Sequence, residues 1–208
     1  MDRIIRPVLA LVIALTLVST VARAADTSPT RDAREPEYQT LFAQLEKTDV
    51  VREGAKEPKS VLYVFFDANC YYCHLTWKAL QPYETVGLQV RWLPVAYQQP
   101  SSVGRAAAIM QASDRIAALR MNEIGYKAAQ FDGGIQPMDK VPATLATQLQ
   151  ANTQLMRMFG APGTPALVWK DRGGKVRFKV GVPRLSELPR ITGLPAQPNA
   201  DPELAKFR

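Results

Sequence analysis

The chain has 208 residues, 47% of them hydrophobic and 22% charged, which fits one ordinary globular domain with some chain to spare. Its formal net charge is +7, yet the 26 Lys and Arg are spread along the chain. Without a block of like charge, this composition argues against a nucleic-acid surface and for a solvated basic exterior.

Arg3 and Arg6 precede an uncharged apolar run from Val8 to Ala22. Ala22-Arg23-Ala24 then puts small residues at the two places a signal peptidase reads, so residues 1–24 have the pattern of a secretory signal. The alternative is an uncleaved anchor, but the run falls short of the ~20 residues a spanning helix needs. No later stretch is long enough either, and no cysteine lies near the cut to carry a lipid. Export is the expectation, and outside the cytoplasm disulfides form and persist.

Residues 25–36 are polar and aperiodic, a leader. Tyr38, Leu41, Phe42 and Leu45 recur at helical spacing, and Arg52 to Ser60 is a polar link. Val61 to Phe66 (VLYVFF) is a compact apolar run of the kind that forms a strand buried on both faces. Past Cys70 the period changes: Cys73, Trp77 and Leu80 mark one helical face, with Pro82 as its end. Leu88 to Val95 alternates again, and strand, helix, strand in that order predicts a parallel pair.

A stretch rich in helix formers follows from Ser101 to Ala129, with a break at Ser113-Asp114. Residues 132–142 are loop, and Val141 to Phe159 returns to helical spacing with Gly160 as its stop. Ala166 to Trp169, the turn DRGG and Lys175 to Val180 form a hairpin. Val176, Phe178 and Val180 should face inward, with Lys175, Arg177 and Lys179 in solvent. Leu185, Leu188 and Ile191 suggest a short last helix that Pro189 interrupts, and residues 195–208 read as a Pro-rich, mobile tail.

The 2 cysteines are Cys70 and Cys73, and the 1 histidine, His74, follows them directly: NCYYCHL. Three chemistries use such spacing. A structural bridge closing so small a loop would stabilise little, so reactivity is the better explanation. Zinc asks for about four ligands, and no further Cys or His exists. CYYCH satisfies the attachment pattern of a c-type haem, with Met110, Met121, Met138, Met156 and Met158 as candidate distal ligands. Strong strands on both sides of the motif are unlike a small helical cytochrome.

The redox dithiol fits the location, where a buried strand becomes a helix. A helix N-terminus offers unpaired N–H groups and a positive dipole end, which stabilise a thiolate. Cys70, the more exposed, would be the nucleophile, and Cys73, one turn in, would resolve the adduct. His74 would tune the thiols or lie on the surface.

FFDANCYYCH together with GAPGTPALVW resembles the thioredoxin superfamily, and within it the periplasmic DsbC/DsbG thiol:disulfide interchange proteins, DsbG above all. The likeness runs from about Tyr38 to Leu194. It implies an α/β thioredoxin fold with a helical insertion, about residues 100–160, between the second strand and the cis-proline strand. It also implies that Pro165 is the cis-proline and that Thr164 pairs with an extended substrate, with Tyr71 and Tyr72 flanking the groove.

This chain departs from the family in three places. The pair between the cysteines is Tyr71-Tyr72, where thioredoxin has Gly-Pro and DsbG-like proteins have Pro-Tyr. Val64 stands six before Cys70, where thioredoxin has a buried Asp. Residues 25–37 are too short for the family's dimerisation module, so a monomer is expected. The domain plan is a signal (1–24), a leader and linker helix (25–59), a catalytic domain (60–194) and a tail (195–208).

The resemblance implies a reductase or isomerase acting on disulfides or sulfenylated cysteines of exported proteins. It would need no cofactor beyond a Cys70–Cys73 disulfide and would be recharged by a DsbD-type membrane donor. A haem carrier and a redox-independent chaperone are the alternatives.

Overall fold

The computed structural model describes residues 34–208. The expected signal and most of the leader lie outside the described residues.

Helix α1 (Glu35–Leu45) buries Tyr38, Leu41, Phe42 and Leu45, the face its spacing predicts. Strands β1 (Val51–Gly54), β2 (Ser60–Phe66), β3 (Leu88–Pro94), β4 (Ala166–Lys170) and β5 (Val176–Val180) form one sheet in the order β1-β3-β2-β4-β5. Only β2 and β3 are parallel, joined through α2 (Tyr71–Glu84), and the other neighbours are antiparallel. Between β3 and β4 the chain builds α3 (Ser102–Gln111), α4 (Arg115–Ile124) and α5 (Ala143–Met158). Asp114 caps α4, accepting from Ala117 N–H at 3.0 Å, which explains the break between α3 and α4.

The continuous apolar run of β2 is buried on both faces, as a central strand requires. Leu62, Val64 and Phe66 enter a core shared with α2, α3 and α4, while Tyr63 and Phe65 enter a second core against α1 and α5.

Five expectations are corrected. The polar link from Arg52 holds an edge strand, β1. Its Glu53 is fully buried because its carboxylate accepts the indole N–H groups of Trp77 (3.1 Å) and Trp92 (3.0 Å) and pairs with Arg120. Pro82 does not end α2, which runs on to Glu84. A proline leaves the carbonyl four residues back without its helical donor. Here that carbonyl, of Lys78, accepts from Asn199 Nδ2 at 3.0 Å.

The tail supplying Asn199 differs from the mobile segment expected. It ends in a 3₁₀ turn (Pro202–Phe207) whose Leu204 is fully buried against the core, while Lys78 pairs with Asp201 and Glu203. Val180, at the end of the outer strand β5, is exposed rather than inward. The basic residues of β5 are paired, Arg177 with Asp171 and Lys179 with Glu187. Pro189 breaks nothing, since it sits in the first turn of α6 (Leu188–Thr192), where the missing N–H has no partner to lose.

Candidate active site

The cysteines lie at the carboxyl end of the central strand, where β2 hands over to α2. Cys70 is the N-cap of α2, extended at φ −82° and ψ 112°, and its sulfur accepts from Cys73 N–H at 3.2 Å. On its other side the Cys70 thiol donates to the Thr164 carbonyl at 3.6 Å. Thr164-Pro165 is the one cis peptide among the described residues, and β4 begins immediately after it. Ninety-odd residues of sequence thus separate the groups that meet across a single sulfur.

The surroundings set the two thiols apart. Donation from the Cys73 thiol, helped by Thr164, the Cys73 N–H and Gln98, outweighs burial and lowers the Cys70 pKa to about 7. Burial pushes Cys73 well above its ordinary value, and its bond to Cys70 adds to that. Cys70 is nevertheless 2% exposed, which corrects the expectation of an accessible thiol: it is covered by the Thr164 segment it touches.

A second carboxylate fixes this loop. Asp67 Oδ1 accepts from Asn69 N–H (3.0 Å) and the Ser102 hydroxyl (2.8 Å), and Oδ2 accepts from the N–H groups of Tyr97 (2.8 Å) and Gln98 (3.1 Å). Asn69 Nδ2 reaches Ser101 and Ser102 at the start of α3, its Oδ1 accepts Gly133 N–H, and its carbonyl accepts the Tyr126 hydroxyl at 2.7 Å. Glycine is needed at 133, because a Cβ there would run into the Asn122 side chain and the Ala68 carbonyl. From the β3–α3 loop, Tyr97 and Gln98 both contact Thr164.

Of the residues expected at the site, Cys70, Cys73, Thr164 and Pro165 converge. Tyr71 is half-buried against Tyr126, Phe131 and His74, Tyr72 is exposed, and Lys206 of the tail stands over both tyrosine rings. His74 is buried rather than on the surface. Its ring stacks on Tyr126 at 4.7 Å, its Nδ1 lies 3.2 Å from Glu123 Oε2, and its Nε2 lies 3.7 Å from Glu203. Burial pushes the Glu123 carboxyl up, against the pull of His74. Asp67, Asn69, Tyr97, Gln98 and Glu123 were not singled out from the sequence. The only signal for the first two was a polar interruption, Asp67-Ala68-Asn69, between an apolar strand and a helix.

The thioredoxin-like domain family matches residues 46–188. Thiol:disulfide interchange protein DsbG of Pseudomonas aeruginosa is 29% identical over 76% of this chain and 60% of its own length. DsbG of Escherichia coli is 29% identical over 76% of this chain and 62% of its own. The chain therefore spans about three fifths of the length of the curated relatives it matches. The solved catalytic domain of Proteus mirabilis ScsC shares the fold, with a TM-score of 0.57 at 23% identity, over 74% of this chain and 95% of that one. The matched residues make up more than half of the chain, and the chain belongs to the thioredoxin-like domain family.

Proposed function

We propose that this chain is a periplasmic thiol:disulfide oxidoreductase, DsbG-like in its chemistry, acting on exported proteins. The observation that carries the reading is the asymmetry of the pair: Cys70 has its pKa lowered to about 7 at a helix N-terminus, and Cys73 is buried and raised behind it. The Cys70 thiolate attacks one sulfur of a substrate disulfide. The substrate S–S bond breaks, a mixed disulfide forms, and the other substrate sulfur leaves with the electron pair.

Cys73 gives up its proton to that leaving thiolate and attacks the Cys70 sulfur. The mixed disulfide breaks, Cys70–Cys73 forms, and the substrate departs with two electrons gained. A sulfenic acid is handled in the same order, with water as the first leaving group. Thr164 and Pro165 set the substrate backbone in extended form beside Cys70, and Tyr71 and Tyr72 flank it. His74, through Glu123, holds the first turn of α2 that carries both cysteines. The oxidised pair is reduced again by a membrane donor of DsbD type, and the chain acts as a monomer.

The test uses the reduced protein and hydroxyethyl disulfide. Cys70→Ala abolishes exchange, and Cys73→Ala accumulates a mixed disulfide on Cys70. Exchange that survives in Cys70→Ala would show this assignment to be wrong.

A further inference from the structure

Under the proposed function, an incoming chain pairs with the main chain of Thr164. Both main-chain groups of Thr164 are already occupied from within. Its carbonyl accepts from the Cys70 thiol at 3.6 Å, and its N–H donates to the Tyr97 hydroxyl at 2.9 Å. The same hydroxyl lies 3.3 Å from Thr164 Oγ1, which also accepts from Gln98 Nε2 at 2.9 Å. The Tyr97 hydroxyl oxygen thus stands where the carbonyl of an extended substrate would stand.

Tyr97 is built unlike a core residue. Its main chain is fixed, because its N–H donates to the buried Asp67 at 2.8 Å. Its side chain is not enclosed: the residue is 42% exposed, and the Thr164 contacts are the only hydrogen bonds its hydroxyl makes among the described residues. The ring borders an open groove between α3 and α5, with Ala96, Val103, Ala146 and Leu149 on its apolar side and Gln150 and Arg157 among its polar lining. A tyrosine with an anchored backbone, one polar tether and an apolar groove alongside can exchange its tether for a position in the groove. Cys70, 2% exposed, lies against the Thr164 carbonyl, so the tether of Tyr97 occupies the segment beside which a substrate chain arrives.

We infer that Tyr97 is a latch which the substrate displaces, a role that rests on the proposed thiol:disulfide exchange at Cys70. A substrate carbonyl replaces the Tyr97 hydroxyl on Thr164 N–H, the ring turns toward the groove, and the freed hydroxyl returns to water. On Thr164 N–H one bond replaces another, and the contact with Thr164 Oγ1 is given up to water, so the latch keeps Thr164 satisfied when the site is empty and weakens the docking of extended chains. It acts through Thr164 and touches no reacting atom, which makes it a specificity-determining positioning residue. A small disulfide that makes no main-chain pairing bypasses it.

The experiment compares Tyr97→Phe with the unaltered chain in single-turnover reduction of two oxidants, hydroxyethyl disulfide and a disulfide-containing peptide. The substitution keeps the ring and removes the tether. The half-saturating peptide concentration falls, and the ratio of peptide to small-disulfide efficiency rises about 2- to 10-fold, the range one exposed hydrogen bond spans. Amide exchange at Thr164, followed by NMR, accelerates in the free variant. A merely structural role would slow both oxidants together, and an unchanged or lowered ratio overturns the latch.

A second measurement does not depend on the variant. In Cys73→Ser protein trapped as a mixed disulfide with the peptide, Thr164 N–H stays protected while the Tyr97 hydroxyl loses its partner. A retained Tyr97–Thr164 bond in that adduct also overturns it. If the unaltered chain reduces neither oxidant, the proposed function fails and the latch with it. If it reduces both and the ratio does not rise, the latch fails alone.

Discussion

Arg120 Nε donates to Glu53 Oε1 at 2.7 Å, while its Nη2 stands 3.7 Å from Glu84 Oε2. One guanidinium is shared between two buried carboxylates, and the division is unequal. Glu53 has the close contact and two indole N–H groups besides. Glu84 has the distant one and a single bond from Gln81 at 3.2 Å.

Burial, with the Glu53 charge adding to it, therefore raises the Glu84 pKa to about 8. A carboxyl with a raised folded pKa gives its full stabilisation below its unfolded value and loses it as pH rises through the folded one. For Glu84 the loss falls between about pH 4.5 and about 8. Glu84→Gln removes the titrating group and keeps the shape. In urea unfolding it should gain on the order of 1–3 kcal/mol over the unaltered chain at pH 9 and nothing at pH 4. Two stability curves that run parallel across this range would refute the assignment.

The Cys70 pKa of about 7 is readable without any substrate. Alkylation of the reduced protein by iodoacetamide should follow a single ionisation with its midpoint near pH 7 and modify Cys70 only. Cys73, buried and raised, should stay unmodified there. Gln98 is among the groups that lower Cys70, so Gln98→Ala should move the midpoint upward and slow labelling at pH 6 by less than about tenfold, a shift under one pKa unit. A midpoint near that of an ordinary cysteine would remove the main support for Cys70 as the attacking thiol.

The carboxy-terminal segment should behave as part of the domain. Leu204 is fully buried against the core, so Leu204→Ala should cost about 2–4 kcal/mol in denaturant unfolding. Lys206→Ala, two positions on and exposed above Tyr71 and Tyr72, should fall within about 0.5 kcal/mol of the unaltered chain. Equal effects from the two would mean that the segment is not docked in solution.

Much of the frame was legible because it is written in short-range patterns. VLYVFF declares a two-faced strand by itself, and Tyr38, Leu41, Phe42 and Leu45 declare one helical face. Motif and resemblance single out the dithiol and Thr164-Pro165, which the fold brings together. What escaped was long-range polar pairing. Glu53 sits in a segment as polar as any loop, and only the distant Trp77, Trp92 and Arg120 make its burial tolerable. Leu204 lies among prolines and charges, and its burial depends on a surface of α2 that no local window contains. Tyr97 and Gln98 are ordinary residues of a connection, placed at the site by a carboxylate thirty positions away.

That carboxylate, Asp67, receives four donors from two loops and the first turn of α3. It makes the insertion a poor candidate for modular exchange. A chimaera that imported another protein's helices in place of α3 to α5, with a junction just after β3, would discard Tyr97, Gln98 and Ser102 and leave Asp67 with one donor of its four. The junction that keeps the dithiol loop intact falls beyond Ser102. For anyone grafting an insertion onto this chain, the dithiol unit therefore includes the first residues after β3.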